Sequence, residues 1–170
     1  MNFFLKQKDL VKIFFKRDNA YYIVLIVIFF SIDRYSKINI INHFNESTYY
    51  INDFINLNLI WNTGVGFGLL SSTTTIFYNT ITILIGLVIL ILSFIGLTSN
   101  KLEKIIFSII VGGAVGNFYD RIVFKAVPDF IDLHYNSFHW FTFNLADIFI
   151  TAGLIILLIN GPKKKTNDKT

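Results

Sequence analysis

The sequence predicts an all-α membrane protein, a bundle of four transmembrane helices with the N- and C-termini on the cytoplasmic side. Three observations predict it. Of the 170 residues, 54% are hydrophobic, 17% aromatic and only 15% charged, well outside the composition of soluble domains. Four apolar runs recur, each of about the length that the hydrocarbon core of a bilayer demands of a helix. Eleven of the fifteen Lys and Arg residues fall in residues 1–18, 98–104 and 161–170, the asymmetry that marks cytoplasmic segments. A single membrane-embedded domain is expected over residues 1–170, without a long linker.

Taken in order, residues 1–18 carry Lys6, Lys8, Lys12, Lys16 and Arg17 and read as a basic cytoplasmic arm. Leu10, Val11, Ile13, Phe14 and Phe15 are interleaved with them, as in an amphipathic helix lying on a membrane surface. A secretory signal begins similarly. Here, however, no small-residue cleavage site follows the apolar run and three more apolar segments come after it, so an anchor is expected.

The first span covers 20–41. It is apolar from Tyr21 to Ile32 apart from Ser31, and then Asp33, Arg34 and Lys37 arrive. Asp33 and Lys37 are four apart and share a helix face, with the acid N-terminal as an ion pair prefers. A pair snorkelling to the interface would explain them as well as a functional pair does.

Residues 42–75 are too polar to span. Ile55, Leu57, Leu59 and Trp61 alternate with Asn56, Asn58, Ile60 and Asn62, mostly the two-residue period of a half-buried strand. Glycine at 64, 66 and 68 leaves one face of the continuing chain bare, open to a ligand or another backbone. No dinucleotide fingerprint is present. The second span covers 76–97, a tight turn follows at Thr98-Ser99-Asn100-Lys101, and the third covers 102–121. Residues 122–142 read as a loop. The fourth span covers 143–160, closed by Gly161-Pro162 and the basic tail 161–170. This orientation puts 42–75 and 122–142 beyond the cytoplasmic membrane.

At 1.5 Å per residue from Leu102, the third helix reaches Asn117 after roughly 23 Å and Arg121 after roughly 29 Å, the outer interface. The fourth helix enters from that side, so Asp147 sits about one turn below the same surface. Asp120, Asp129, Asp132, Asp147, Arg121, Asn117 and Asn144 thus gather near one depth. Ionisable groups at membrane depth are costly unless paired or wet, which makes them functional-site candidates. Asn117, Asp120 and Arg121 share a helix face, as do Asn144 and Asp147. An Asp120–Arg121 pair could be structural, and the small residues Gly112 and Gly116 suit close helix packing.

Two carboxylates in a partly desolvated site do not both ionise readily, so such a pair shares a proton near neutral pH. That is the state acid–base hydrolysis of an amide needs: one carboxylate activates water while the other polarises the carbonyl and protonates the leaving nitrogen. The residues alone leave open whether Asp120 or Asp129 partners Asp147. Other chemistries fit less well. The chain has no cysteine, which removes disulfides, thiolate metal sites and cysteine nucleophiles. His43, His134 and His139 are not at ligand spacing on any helix, so no metal and no cofactor is expected. Ser36-Lys37 point apart on a helix, and Lys104 with Ser108 lies at the cytoplasmic end, which disfavours a serine–lysine hydrolase. The positive charges sit at the cytoplasmic ends, so no nucleic-acid partner is expected. A small transporter or a proton or cation relay using the buried aspartates is the alternative function, and a non-catalytic scaffold is a third.

The ordered set Asp33-x-x-x-Lys37, Asn62-Thr63-Gly64 with Phe67-Gly68, Gly112-Gly113-Ala114-x-Gly116-Asn117-x-x-Asp120-Arg121, Asp129-Phe130 and Phe143-Asn144-x-Ala146-Asp147 resembles the lipoprotein signal peptidases, the signal peptidase II family. The resemblance implies a four-helix membrane aspartyl peptidase with a small extracytoplasmic β-sheet cradle, in the bacterial cytoplasmic (inner) membrane, its site at the extracytoplasmic face. It implies cleavage of diacylglyceryl-modified prolipoproteins before the lipidated cysteine, with membrane lipid as the other partner, by a chain expected to be monomeric. By motif, Asp129 and Asp147 become the catalytic dyad. Asn62, Gly113, Asn117, Arg121 and Asn144 match substrate-binding or site-lining positions, and Asp33, Lys37 and Asp120 match structural polar positions. Two departures stand out: Val65-Gly66 replace small alanine-like residues, and Pro128 replaces Val before the catalytic Asp, on an expected loop. The edge of the 55–68 strand is a candidate for pairing with extended substrate backbone.

Overall fold

A computed structural model of the protein describes residues 17–43, 48–64 and 75–160, with only the backbone of Thr75 and Phe77. The basic arm over 1–16, the glycine alternation from Val65 to Gly68 and the tail 161–170 lie outside the described residues. In chain order the elements are α1 (Arg17–His43), β1 (Tyr49–Asn52), β2 (Ile55–Asn62), α2 (Thr75–Thr98), α3 (Lys101–Phe124), β3 (Val127–Tyr135), β4 (Phe138–Phe143) and α4 (Leu145–Asn160). The result is a helical bundle carrying one small antiparallel sheet of order β1-β2-β3-β4.

Helix α3 is the axis of the bundle, packed against α1, α2 and α4. Its small residues set how close the partners come. A Cβ on Gly112 would lie 2.6 Å from Phe29 Cβ of α1, and one on Gly113 would lie 2.6 Å from the Ala146 carbonyl of α4. Ile106, Phe107, Ile110 and Val111 of α3 are buried, as is Tyr22 of α1, whose hydroxyl donates to the Ser93 carbonyl at 3.4 Å. By contrast, Ile83, Leu84, Leu87, Leu90, Ile91 and Phe94 of α2 are all exposed. Tyr78–Thr98 and Lys101–Phe124 are long and apolar enough to cross a membrane, and α4 is a shorter apolar helix.

The α2–α3 turn is held by a capping box. Asn100 accepts from the Glu103 N–H at 3.0 Å while the Glu103 carboxylate accepts from the Asn100 N–H at 3.3 Å, satisfying two otherwise unpaired donors. Lys104 donates to the Gly96 and Leu97 carbonyls at the end of α2, at 3.2 and 2.6 Å. Ser108 donates to the Ile105 carbonyl at 2.7 Å.

The stretch 122–142 is a correction to the sequence reading. Instead of a loop, α3 continues to Phe124, Lys125 turns the chain at φ 56°, and β3 and β4 form a hairpin. Pro128, Asp129, Asp132 and Asn136 give the segment the punctuation of a loop, yet Pro128 pairs opposite Trp61 within the sheet. Asn136, at φ 53°, makes the hairpin turn, a conformation asparagine tolerates better than most residues.

Candidate active site

The sheet reaches the site through a bulge. In β2, Leu57 lies opposite Ile131 and Ile60 opposite Asp129, so Asn58 and Leu59 together face Phe130 alone. A strict two-residue period would put Asn62 on the face opposite Leu57. The extra residue flips that parity, and Asn62 joins Leu57, Asp129 and Ile131 on one face. There its Nδ2 donates to Asp129 Oδ2 at 2.8 Å. Asp132, three residues from Asp129 on the same strand, necessarily points to the other face. It pairs with His139 Nδ1 at 2.7 Å, and the His139 ring stacks on His134. Asp132 therefore lies outside the site.

Asp147 is placed by the start of α4. The Asn144 side-chain oxygen accepts from the Asp147 N–H at 3.2 Å, and Asp147 Oδ2 accepts from the Asn144 N–H at 3.2 Å. This is the reciprocal arrangement of a capping box, with Asp147 in the third helical position. The Ala146 N–H, another first-turn donor that needs a partner, goes to Asp33 Oδ1 at 3.1 Å.

Asn144 also joins the two acids. Its Nδ2 donates to Asp129 Oδ1 at 2.6 Å, so one asparagine touches both carboxylates. Asn117 Nδ2 donates to Asp147 Oδ1 at 2.8 Å. All four carboxylate oxygens thus accept one N–H each. Asn62, Asn117, Arg121, Asp129, Asn144 and Asp147, with Val127, Ile150 and Thr151, line a single cavity of about 180 Å³. Asp129 is 3% exposed and Asn144 fully buried. Burial pushes the Asp129 carboxyl up to about 6, with nearby Asp147 adding to the rise and the Asn62 and Asn144 hydrogen bonds opposing it.

Asp120 points elsewhere. It pairs with Arg34 through Oδ1 and with Lys37 through Oδ2 at 2.7 Å, not with its neighbour Arg121. Lys37 also meets Asp33 Oδ2 at 2.8 Å, and both side chains are fully buried rather than snorkelling. Arg121 donates to the Asn117 carbonyl at 3.0 Å and the Gly64 carbonyl at 3.2 Å, tying the exit of β2 to α3. Gly113 stands at the α3–α4 contact against Ala146 and is not part of the cavity wall.

Ile150 and Thr151 also line the cavity, although neither is among the polar residues that stand out in the sequence. Thr151 is four residues past Asp147, a spacing that puts both on one helix face. A second, apolar groove of about 340 Å³ meets the site at Asp147 and is walled by Leu133, Phe141, Phe143, Ile148, Thr151, Ala152 and Ile155. The β2 edge is only partly available: β1 pairs with residues 55–57, while β1 does not pair with Asn58–Asn62.

Residues 25–161 match the family described as signal peptidase (SPase) II. The chain is 50% identical over 153 residues to the lipoprotein signal peptidase of Pelagibacter ubique (strain HTCC1062), covering 86% of this chain and 92% of that one. It is 36% identical over 148 residues to the lipoprotein signal peptidase of Francisella tularensis subsp. novicida (strain U112), covering 84% and 91%. A bacterial membrane enzyme solved by the in meso method at 2.3 Å superposes with a TM-score of 0.71 at 27% identity, covering 89% of this chain and 94% of that one.

Proposed function

The chain belongs to the signal peptidase II family and is an aspartic endopeptidase that removes signal peptides from prolipoproteins, and we propose that Asp129 and Asp147 are the pair that makes the cut. The observation that carries this assignment is the shared contact: Asn144 bonds both carboxylates at the wall of one cavity. The transporter or relay reading has no support beside it.

In the proposed reaction, Asp129 holds the proton that the pair shares. Asp147 takes a proton from a water molecule as its oxygen attacks the scissile carbonyl, while protonated Asp129 polarises that carbonyl. Asp129 then passes its proton to the leaving nitrogen, and water has been added across the C–N bond with no covalent intermediate. Asn62, Asn117 and Asn144 keep both carboxylates in place. Arg121, held by two carbonyls, lines the substrate path.

The substrate is a diacylglyceryl-modified prolipoprotein cut before its lipidated cysteine, arriving sideways from the bilayer. The apolar groove that ends at Asp147 suits its greasy flank. Four helices span the bacterial inner membrane with both termini cytoplasmic, so that the sheet and the site lie at the extracytoplasmic face. The placement of eleven of the fifteen Lys and Arg residues supports that orientation. The whole chain forms one membrane-embedded peptidase domain and acts as a monomer among lipids. The experiment is cleavage of a synthetic diacylglyceryl prolipopeptide by purified Asp129→Asn and Asp147→Asn variants. Both should be folded and inactive, and product from either would sink the assignment.

A further inference from the structure

We propose that Lys37 is a positioning residue of this peptidase: it dictates which end of the Asn117 amide faces Asp147. The proposal rests on Asp129 and Asp147 being the dyad.

A side-chain amide has an oxygen end that only accepts and a nitrogen end that only donates, and the two are nearly alike in shape. Three asparagines touch the dyad, and each offers it Nδ2. In each, the oxygen end is held by a donor. For Asn62 that donor is the Gly64 N–H at 2.8 Å, and for Asn144 it is the Asp147 N–H at 3.2 Å. Both belong to the main chain, beyond the reach of substitution. For Asn117 it is a side chain, the Lys37 ammonium, at 2.8 Å.

Lys37 has no freedom to do otherwise. An ammonium carries three N–H donors and no acceptor. Here they go to Asp33 Oδ2, Asp120 Oδ2 and Asn117 Oδ1, and the side chain is fully buried. Turning Asn117 over would set Nδ2 against the ammonium and Oδ1 against Asp147 Oδ1, exchanging two attractions for two repulsions. Lys37 on α1 therefore keeps an N–H aimed at Asp147 on α4 without touching it. The other charged groups around this relay are Asp33 and Arg34 on α1, Asp120 and Arg121 on α3, and Asp129 on β3.

The test is a double-mutant cycle on the full-length enzyme in detergent, with kcat and KM for a diacylglyceryl prolipopeptide measured across pH. Lys37→Met is combined with Asp33→Asn, which keeps the buried charge balanced and leaves an amide oxygen at position 33 to accept from the Ala146 N–H. Asp33→Asn alone is the reference. Adding Lys37→Met should lower kcat by about 10- to 100-fold, the cost of a misplaced catalytic group. KM should change by less than about twofold, and the acid limb of the kcat/KM profile should move to higher pH. In an Asn117→Ala background the same change should cost less than about threefold, because the relay is already cut. An equal loss in both backgrounds, with no movement of the profile, would overturn the proposal. Should the methionine variant fail a thermal-unfolding check, Asp33→Asn/Lys37→Gln replaces it; its amide can present either end to Asn117, and the same pair of outcomes decides. Cleavage surviving in Asp129→Asn or Asp147→Asn would instead defeat the dyad, whatever the cycle gives.

Discussion

Asn144 donates to Asp129 Oδ1 through Nδ2 at 2.6 Å while its own oxygen accepts from the Asp147 main chain at 3.2 Å. One side chain therefore starts a helix and links a strand-borne acid to a helix-borne one. Asn144→Ala should lose both functions. Removing a helix cap costs about 1 kcal/mol, and the freed Asp129 oxygen costs about 1–3 kcal/mol more in a buried site. Thermal unfolding in detergent should register the sum, with kcat for prolipopeptide cleavage lowered by about 100-fold.

The raised Asp129 carboxyl makes a second prediction, about stability. Its folded value of about 6 lies above the ordinary 3.8. Between those values the folded state binds more protons than the unfolded, so this group's contribution falls as pH rises through that window and is level above it. Asp129→Asn does not titrate. The stability of Asp129→Asn relative to the parent should thus climb by up to about 3 kcal/mol from pH 4 to pH 7. Melting curves of both proteins at the two pH values check it, and a difference that shrinks with pH contradicts it.

Asp120 closes a buried cluster with Arg34 and Lys37, and its side chain is fully buried. Asp120→Asn leaves two buried cations sharing Asp33, a loss of about 3–5 kcal/mol by comparison with other broken buried pairs. Asp53, exposed and bonded to Tyr50, is the control: Asp53→Asn should change stability by less than about 0.5 kcal/mol. Unfolding midpoints of the two variants make the comparison.

Gly113→Ala should damage the enzyme more than Gly86→Ala. A methyl at 113 meets the Ala146 carbonyl at 2.6 Å, main chain of the turn that holds Asp147, whereas one at 86 meets the ring of Phe118 at 3.1 Å. A backbone must shift in the first case and a side chain in the second. Overpacking of the first kind costs about 1–3 kcal/mol, and the displaced acid should cost about 10- to 100-fold in kcat. Gly86→Ala should stay within about threefold of the parent.

Much of this arrangement was legible in the residues because it follows local periodicity. Apolar runs mark the helices, and Asn117 with Arg121, like Asn144 with Asp147, share a face by their spacing; that Asn144 starts the last helix instead of lying inside a span from 143 is visible only in the structure. What the residues alone could not supply was the partner of Asp147. Asp120 and Asp129 are both aspartates, 27 and 18 residues before Asp147, and neither spacing decides between them. In the structure Arg34 and Lys37, more than eighty residues away, claim Asp120, and a hairpin whose polar residues imitate a loop brings Asp129 to the cavity that Asp147 lines. The Asn58–Leu59 bulge left only a faint trace: Ile60 breaks the alternation of β2 once, and the register with β3 reveals the extra residue.

The capping box at α4 has a consequence for how this protein can vary. Because Asp147 occupies the third helical position and reaches back to Asn144, inserting one residue between them would swing the acid about 100° around the axis. The fold could absorb that by starting the helix later, but the chemistry could not follow. Chain length should drift freely in the outer turns and hardly at all across these four residues.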